Sequence, residues 1–108
     1  MVGASDEDMR TAVAELVRLG GGQVVVERGK VLAALPLPIA GLMSDRPLAE
    51  VQRLVGELAR AARELGSRLP DPFMSLSFLA LPVIPKLKLT DRGLVDVVQF
   101  RHVPLFAG

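Results

Sequence analysis

The sequence has no cysteine, tryptophan or tyrosine, and its only histidine is His102. Without cysteine, a disulfide framework, a redox dithiol and a thiolate zinc site are all excluded. One histidine is too few for a His-rich metal centre, and a lone histidine near a chain end is more often a surface or structural residue. The charges nearly cancel, with 13 Lys+Arg against 12 Asp+Glu. No bulk positive field therefore draws in nucleic acid or anionic lipid, and we expect neither as a partner.

The chain also lacks a hydrophobic run long enough for a membrane helix. Its longest uncharged stretches, 31–44 and 72–85, are interrupted by prolines and fall short of the roughly 20 apolar residues that a span requires. Residues 1–8 are acidic, whereas a signal peptide begins with basic and then apolar residues. We therefore expect no membrane association and a cytoplasmic location.

What the chain does contain is aliphatic residues, since 50% of its residues are hydrophobic and mean hydropathy is +0.39. At 108 residues and 11.6 kDa it fits a single domain over 1–108, with enough apolar surface for a modest core. So much aliphatic surface predicts that part of it is covered, either by the chain's own core or by a partner.

Two amphipathic helices are predicted. The first spans 6–18, because Ser5 is a suitable N-cap, acidic residues fill the first turn and Gly20 follows the last apolar position. The second and longer helix spans 47–65 and begins at Pro47, with an apolar stripe on one face. Its arginines lie three or four residues from glutamates, which favours a locally neutralised, solvated face over a phosphate-binding stripe.

The rest of the chain is predicted to form strands and one short segment that is either a helix or a strand. A β-hairpin is predicted from the β-rich runs 23–27 and 31–35, with Gly29 supplying the positive φ of its short loop. Residues 73–81 fit a short helix that ends before Pro82, although a strand also suits them. Strands are further predicted at 86–90 and within 94–106. Because helices and strands do not alternate strictly, the fold class is α+β, with a small mixed or antiparallel sheet, a long amphipathic helix and one or two shorter helices.

The sequence offers no self-sufficient active site. The serines Ser44, Ser75 and Ser77 lack a glycine-flanked nucleophile elbow, and His102 is the only available base. The possible carboxylate pair, Asp91 and Asp96, borders a glycine turn, where aspartate is common for its backbone hydrogen bonds. We therefore expect no catalytic residue, no metal ligand and no cofactor site in this chain.

Three segments, 35–45 (LPLPIAGLMSD), 72–85 (PFMSLSFLALPVIP) and 87–94 (LKLTDRGL), together resemble the C-terminal domain of bacterial and archaeal adenine deaminase, of the amidohydrolase superfamily. The run 5–9 and the glycines 20–22 before a valine-rich strand fit the same pattern. The resemblance thus covers nearly the whole chain.

The resemblance implies a metal-dependent hydrolase of purine salvage and adenine catabolism, which converts adenine and water to hypoxanthine and ammonia. It also implies that manganese or iron is held by a catalytic (β/α)8 barrel that precedes this domain, and none of the barrel motifs occurs in these residues. We therefore expect a C-terminal, non-catalytic portion of an adenine deaminase that acts in stability, assembly or active-site closure. The alternative is a free-standing interaction or regulatory module that keeps the fold without the enzyme.

If the domain covers a barrel, the uncharged segments are candidates for the docking surface. The candidate residues are Leu35, Leu37, Ile39, Leu42 and Met43 in the first segment, and Phe73, Met74, Leu76, Phe78, Leu79 and Ile84 in the second. The expected partner is the catalytic barrel, in cis or in trans, or a second copy of the chain. The competing interpretation is that both segments fill the domain's own core.

Overall fold

The computed structural model describes residues 1–106, and the contacts divide the chain into two compact units, Met1–Pro72 and Phe73–Gly108. The described residues form three helices and two small antiparallel sheets, so the predicted α+β class is confirmed. A single domain over 1–108 stays a prediction. Within residues 1–106, no helix combines the length and the apolar character that crossing a bilayer would require.

The first helix, α1 (Asp6–Leu19), begins and ends where its caps predict. The Ser5 hydroxyl oxygen accepts a hydrogen bond from the Asp8 backbone N–H at 3.1 Å. At the other end Gly20 has a φ of 72°, and the following Gly21 N–H donates to the Leu16 carbonyl at 3.0 Å. This left-handed turn takes up the last carbonyls of the helix and sends the chain into a strand.

Strands β1 (Gly22–Glu27) and β2 (Lys30–Pro36) form the predicted hairpin and make a two-stranded antiparallel sheet. Arg28 and Gly29 form its loop, with φ values of 51° and 73°. The Asp8 carboxylate accepts a hydrogen bond from the Gly29 backbone N–H at 2.7 Å, which ties the start of α1 to this loop. The same hydrogen bond holds the pKa of the Asp8 carboxyl below its usual value.

The long helix α2 (Leu48–Glu64) packs mainly on β2, as α1 packs mainly on β1. Leu58 is fully buried on α2 and Ala61 nearly so, which places the centre of the apolar stripe in the core. The helix begins after Pro47, and no side chain caps its first turn; just before it, the Ser44 hydroxyl oxygen accepts a hydrogen bond from the Arg46 N–H.

Ion pairs on α2 and α1 are local, as the spacing of the charges predicts. Two glutamates on α2 pair with the arginine four residues before them: Glu50 with Arg46, and Glu57 with Arg53 at 2.6 Å. On α1, the Arg18 guanidinium donates two hydrogen bonds to the Glu15 carboxylate and lowers its pKa. Such exposed pairs contribute little to stability.

The second unit contains most of the helix α3 (Pro72–Ala80), followed by β3 (Leu87–Thr90), β4 (Gly93–Asp96) and β5 (Arg101–His102). Residues 73–81 are thus mainly helical, which confirms the first of the two alternatives. The strands form an antiparallel sheet in the order β3-β4-β5. The turn between β3 and β4 is closed by the Thr90 hydroxyl, which donates to the Gly93 carbonyl and accepts from the Arg92 N–H. Val97, just after β4, is buried.

Candidate docking surfaces

Two of the residues considered as catalytic groups make local hydrogen bonds. The Ser77 hydroxyl donates to the Met74 carbonyl at 2.8 Å, and the Asp96 carboxylate accepts from the Gln99 N–H at 2.9 Å. Both contacts are of the kind that shapes helices and turns. Among residues 1–106, no three histidine, aspartate or glutamate side chains converge as a group that could hold a metal ion.

His102 borders an open cavity of about 250 Å³ in the second unit. The walls are mainly apolar, and no carboxylate lines them. The lining residues are Pro82, Val83, Val95, Phe100, Arg101 and His102. This arrangement could accommodate a small apolar group, but it presents no acid–base pair for chemistry.

Two residues of the predicted docking surface lie inside the first unit. Leu35 is 3% exposed and Leu37 is 9% exposed, so the chain itself covers them. They join Val25 of β1 and Leu58 of α2 among the buried apolar residues. Leu35 and Leu37 therefore belong to the core, as the competing interpretation of the first segment predicts for these two positions.

The other three residues of that segment lie on a tight loop, 39–43, which we call the apolar loop. The Ile39 and Met43 backbones exchange hydrogen bonds in both directions, at 3.2 and 3.1 Å, and the Leu42 N–H also donates to the Ile39 carbonyl. Their side chains remain exposed, Ile39 by 46%, Leu42 by 78% and Met43 by 58%. The loop is therefore closed by its own backbone while it presents apolar side chains to solvent.

The apolar loop rests directly on the end of α1. The Leu37 N–H donates to the Gly21 carbonyl at 3.0 Å. A Cβ atom on Gly21 would lie 2.8 Å from the Gly41 Cα and 3.0 Å from the Leu37 carbonyl oxygen. Only glycine at position 21 allows the two backbone segments to come this close. The glycines that end α1 therefore also fix the position of the apolar loop.

The second uncharged segment has no buried residue on its helix. α3 carries no charged side chain, yet Met74, Phe78 and Leu79 are each more than half exposed. Phe73, Leu76 and Ile84 are half-buried. We call the side chains of these six residues the α3 surface. A helix that is apolar on every side is normally covered by protein, so this exposure is unusual for a helix in water.

Other exposed apolar residues escaped the sequence prediction. On α1, Val13 and Val17 repeat at helical spacing, yet they are 44% and 75% exposed. On α2, Leu48 is 82% exposed although it continues the stripe at the helix start. Helical periodicity identifies an apolar face but not whether the fold covers all of it, so no signal in the sequence distinguished these positions.

Comparison with known proteins gives a consistent match. The family model described as "Adenine deaminase C-terminal domain" matches residues 1–101. The adenine deaminase of Desulfatibacillum aliphaticivorans is 56% identical over 106 residues, which are 98% of this chain and 19% of that protein. "Adenine deaminase 2" of Carboxydothermus hydrogenoformans is 61% identical over 97% of this chain and 19% of its own length. The Moorella thermoacetica adenine deaminase is 55% identical over 100% of this chain and 18% of its own length.

Proposed function

We propose that this chain, which belongs to the family of adenine deaminase C-terminal domains, works as the C-terminal, non-catalytic portion of an adenine deaminase. In the whole enzyme, adenine and water would give hypoxanthine and ammonia. The role of this portion would lie in stability, assembly or closure of the active site. The proposal includes a cytoplasmic location.

One observation carries the proposal. Identities of 55–61% extend over nearly the entire chain, while the matched region is only 18–19% of each relative. Roughly four-fifths of each relative therefore has no counterpart here. We infer that the catalytic groups reside in that larger part, which is the partner of this chain in cis or in trans.

The metal of the enzyme belongs to that larger part as well. The family resemblance implies manganese or iron, and both require several converging histidine, aspartate or glutamate ligands. The described residues do not fit such an ion, because no group of three of these side chains forms among residues 1–106. We therefore assign no step of the deamination to this chain.

The apolar loop and the α3 surface are the proposed contacts with the catalytic part. Full burial of a leucine, methionine or phenylalanine side chain contributes about 1.5–3 kcal/mol. Leu42 and Met43 are mostly exposed, so this chain alone does not gain most of that burial free energy. Burial of these two side chains against the catalytic part would favour association. It would not disturb the core, because the apolar loop is already closed by its own hydrogen bonds.

A chimaera tests the proposal. This chain replaces the matching segment of the Carboxydothermus hydrogenoformans enzyme, to which it is 61% identical. We expect the chimaera to deaminate adenine, and we expect the isolated chain with adenine and manganese to show no turnover above background. Turnover by the isolated chain would refute the non-catalytic role. A chimaera that folds but neither deaminates adenine nor gains stability over the truncated enzyme would favour the free-standing module.

A pair of leucine variants tests the docking surface. Leu42 on the apolar loop and Leu48 on α2 are exposed to similar degrees, 78% and 82%. Neither Leu42→Ser nor Leu48→Ser should change the stability of the isolated chain by more than about 0.5 kcal/mol. In the chimaera, only Leu42→Ser should lower the melting temperature. Equal effects of the two variants in the chimaera would contradict docking through the apolar loop.

A further inference from the structure

The sheet of β1 and β2 is incomplete at both edges. Within residues 1–106, neither strand pairs with a third one. A two-stranded sheet is marginal on its own, and an edge strand presents a row of backbone groups that can pair with another chain. Yet β1 is rich in β-branched residues, including Val24, Val25 and Val26. Such an uninterrupted apolar run is typical of a strand inside a larger sheet.

The register shows which backbone groups are available. The Leu37 N–H donates to the Gly21 carbonyl, and these two residues flank the pair Gly22↔Pro36. That pattern makes Gly22↔Pro36 a non-hydrogen-bonded pair. Because the two types of pair alternate, Val24↔Ala34 is non-hydrogen-bonded as well. The N–H and C=O groups of Val24 therefore point to the outer edge of β1, and those of Ala34 point to the outer edge of β2.

The two edges are not equivalent. On β2, Pro36 removes the donor that its outer edge would have at that position. The pairing also shifts between Val25 and Val26, which leaves Leu32 as an extra residue on β2. Prolines and bulges are features that protect an edge strand from further pairing. β1 has neither, so its edge is the one suited to accept another strand.

We propose that the outer edge of β1 accepts a strand from the catalytic part of adenine deaminase. The inference rests on the proposed function and identifies a second contact, made by backbone atoms. The relatives contain about four-fifths of their length outside the matched segment, and the family is defined as the C-terminal domain. The occupant therefore comes from the part that precedes this domain in those enzymes. It is an extended, apolar segment that adds by β-augmentation.

The position of α1 supports this occupant. α1 runs into β1 through Gly20 and Gly21 and packs against it. In a βαβ unit, the crossover helix leads into the second strand and packs against the sheet, as α1 does with β1. A strand that precedes α1 in the longer enzymes would then lie parallel to β1 in the same sheet.

Hydrogen–deuterium exchange tests the proposal in the isolated chain and in the chimaera. We expect the Val24 amide to exchange at least about a hundredfold more slowly in the chimaera than in the isolated chain. The Ala34 amide serves as the internal control and should exchange rapidly in both proteins. Measurement of the Carboxydothermus hydrogenoformans enzyme itself, at the positions that match Val24 and Ala34, gives the same readout if the chimaera does not fold.

Three outcomes would overturn the proposal. If the Ala34 amide is protected and the Val24 amide is not, the strand adds to β2. If both amides stay fast in a folded, active chimaera, no strand adds at all, while the proposed function stands. If Val24 is already protected in the isolated chain, and loses this protection on dilution, the occupant is a second copy of this chain.

Proline variants give an independent readout. Val24→Pro and Ala34→Pro remove amide donors from directly opposed positions, one on each outer edge. We expect both to shift the melting temperature of the isolated chain equally. In the chimaera, Val24→Pro should lower it by about 4 °C or more beyond the effect of Ala34→Pro. Val24→Ala, which keeps the N–H, should not reproduce this excess. Equal shifts in the chimaera would contradict the proposal.

Discussion

Replacing Gly21 with alanine should destabilise the first unit much more than replacing its neighbour Gly20. Both glycines have positive φ, 72° for Gly20 and 122° for Gly21. At Gly20 an added Cβ meets nothing within 4 Å. Gly20→Ala therefore loses only the free energy that alanine requires to adopt a positive φ. That penalty is about 1–2 kcal/mol for a residue in the left-handed region.

At Gly21 two penalties combine. A φ of 122° lies beyond the left-handed well that other residues adopt, which costs about 1–3 kcal/mol. The new Cβ would also lie 2.8 Å from the Gly41 Cα and 3.0 Å from the Leu37 carbonyl oxygen. Both are backbone atoms, so the apolar loop must shift, at a further cost of about 1–3 kcal/mol. We expect Gly21→Ala to lower the free energy of unfolding by about 2–6 kcal/mol.

Urea unfolding of the two variants measures the difference. Far-ultraviolet circular dichroism suits this chain, because it follows α1 and α2 and the sequence has no tryptophan or tyrosine for fluorescence. Gly20→Ala controls for the positive φ and for the altered unfolded state. If both variants lose the same free energy of unfolding to within about 0.5 kcal/mol, the close approach of the Gly21 and Gly41 backbones does not determine stability.

Three further predictions concern the first unit in the isolated chain. Leu58→Ala should lower the free energy of unfolding by about 3–5 kcal/mol in urea titrations, because Leu58 is fully buried. Ser5→Ala should lower it by about 1 kcal/mol in the same assay through loss of the N-cap bond to Asp8. The folded-state pKa of Asp8 is lowered, chiefly by the bond from Gly29, so its stabilising contribution is present above the unfolded pKa and is lost as pH falls through the folded one. Stability between pH 5 and pH 2 should therefore fall less steeply in Asp8→Asn than in the parent chain, and parallel profiles would contradict this assignment.

Local signals in the sequence predicted the elements that are stabilised locally. Ser5 and Gly20 mark the two ends of α1 because each makes its hydrogen bonds to the backbone of that same helix. Gly29 marks the hairpin loop for the same reason, since a two-residue loop requires positive φ. In these cases the residue and the structure it specifies lie within a few positions of each other.

The sequence was less informative where the outcome depends on distant segments. Leu35 and Leu42 have similar surroundings in the sequence, yet one is 3% exposed and the other 78%. The difference arises because Leu35 lies on β2, which packs against α2, whereas Leu42 lies in the loop after β2, next to the positive-φ Gly41. Neither event is visible in composition or periodicity. The close approach of Gly21 to the loop is likewise a tertiary contact, and a run of glycines after a helix predicts only the cap.

The distribution of apolar residues links the fold to the proposed role. Within residues 1–106 the buried apolar side chains are Val25, Leu35, Leu37, Leu58, Ala61 and Val97. A chain with a mean hydropathy of +0.39 has many more such side chains than that core uses. Part of the excess lies on the closed apolar loop and on α3, a helix without charges, and the rest is spread over other positions such as Val17 and Leu48. Isolated apolar residues on a surface need no partner, but ordered groups of them, together with open backbone hydrogen-bonding groups, do. If the proposed function is right, these exposed groups are the area that would contact the catalytic part of an adenine deaminase.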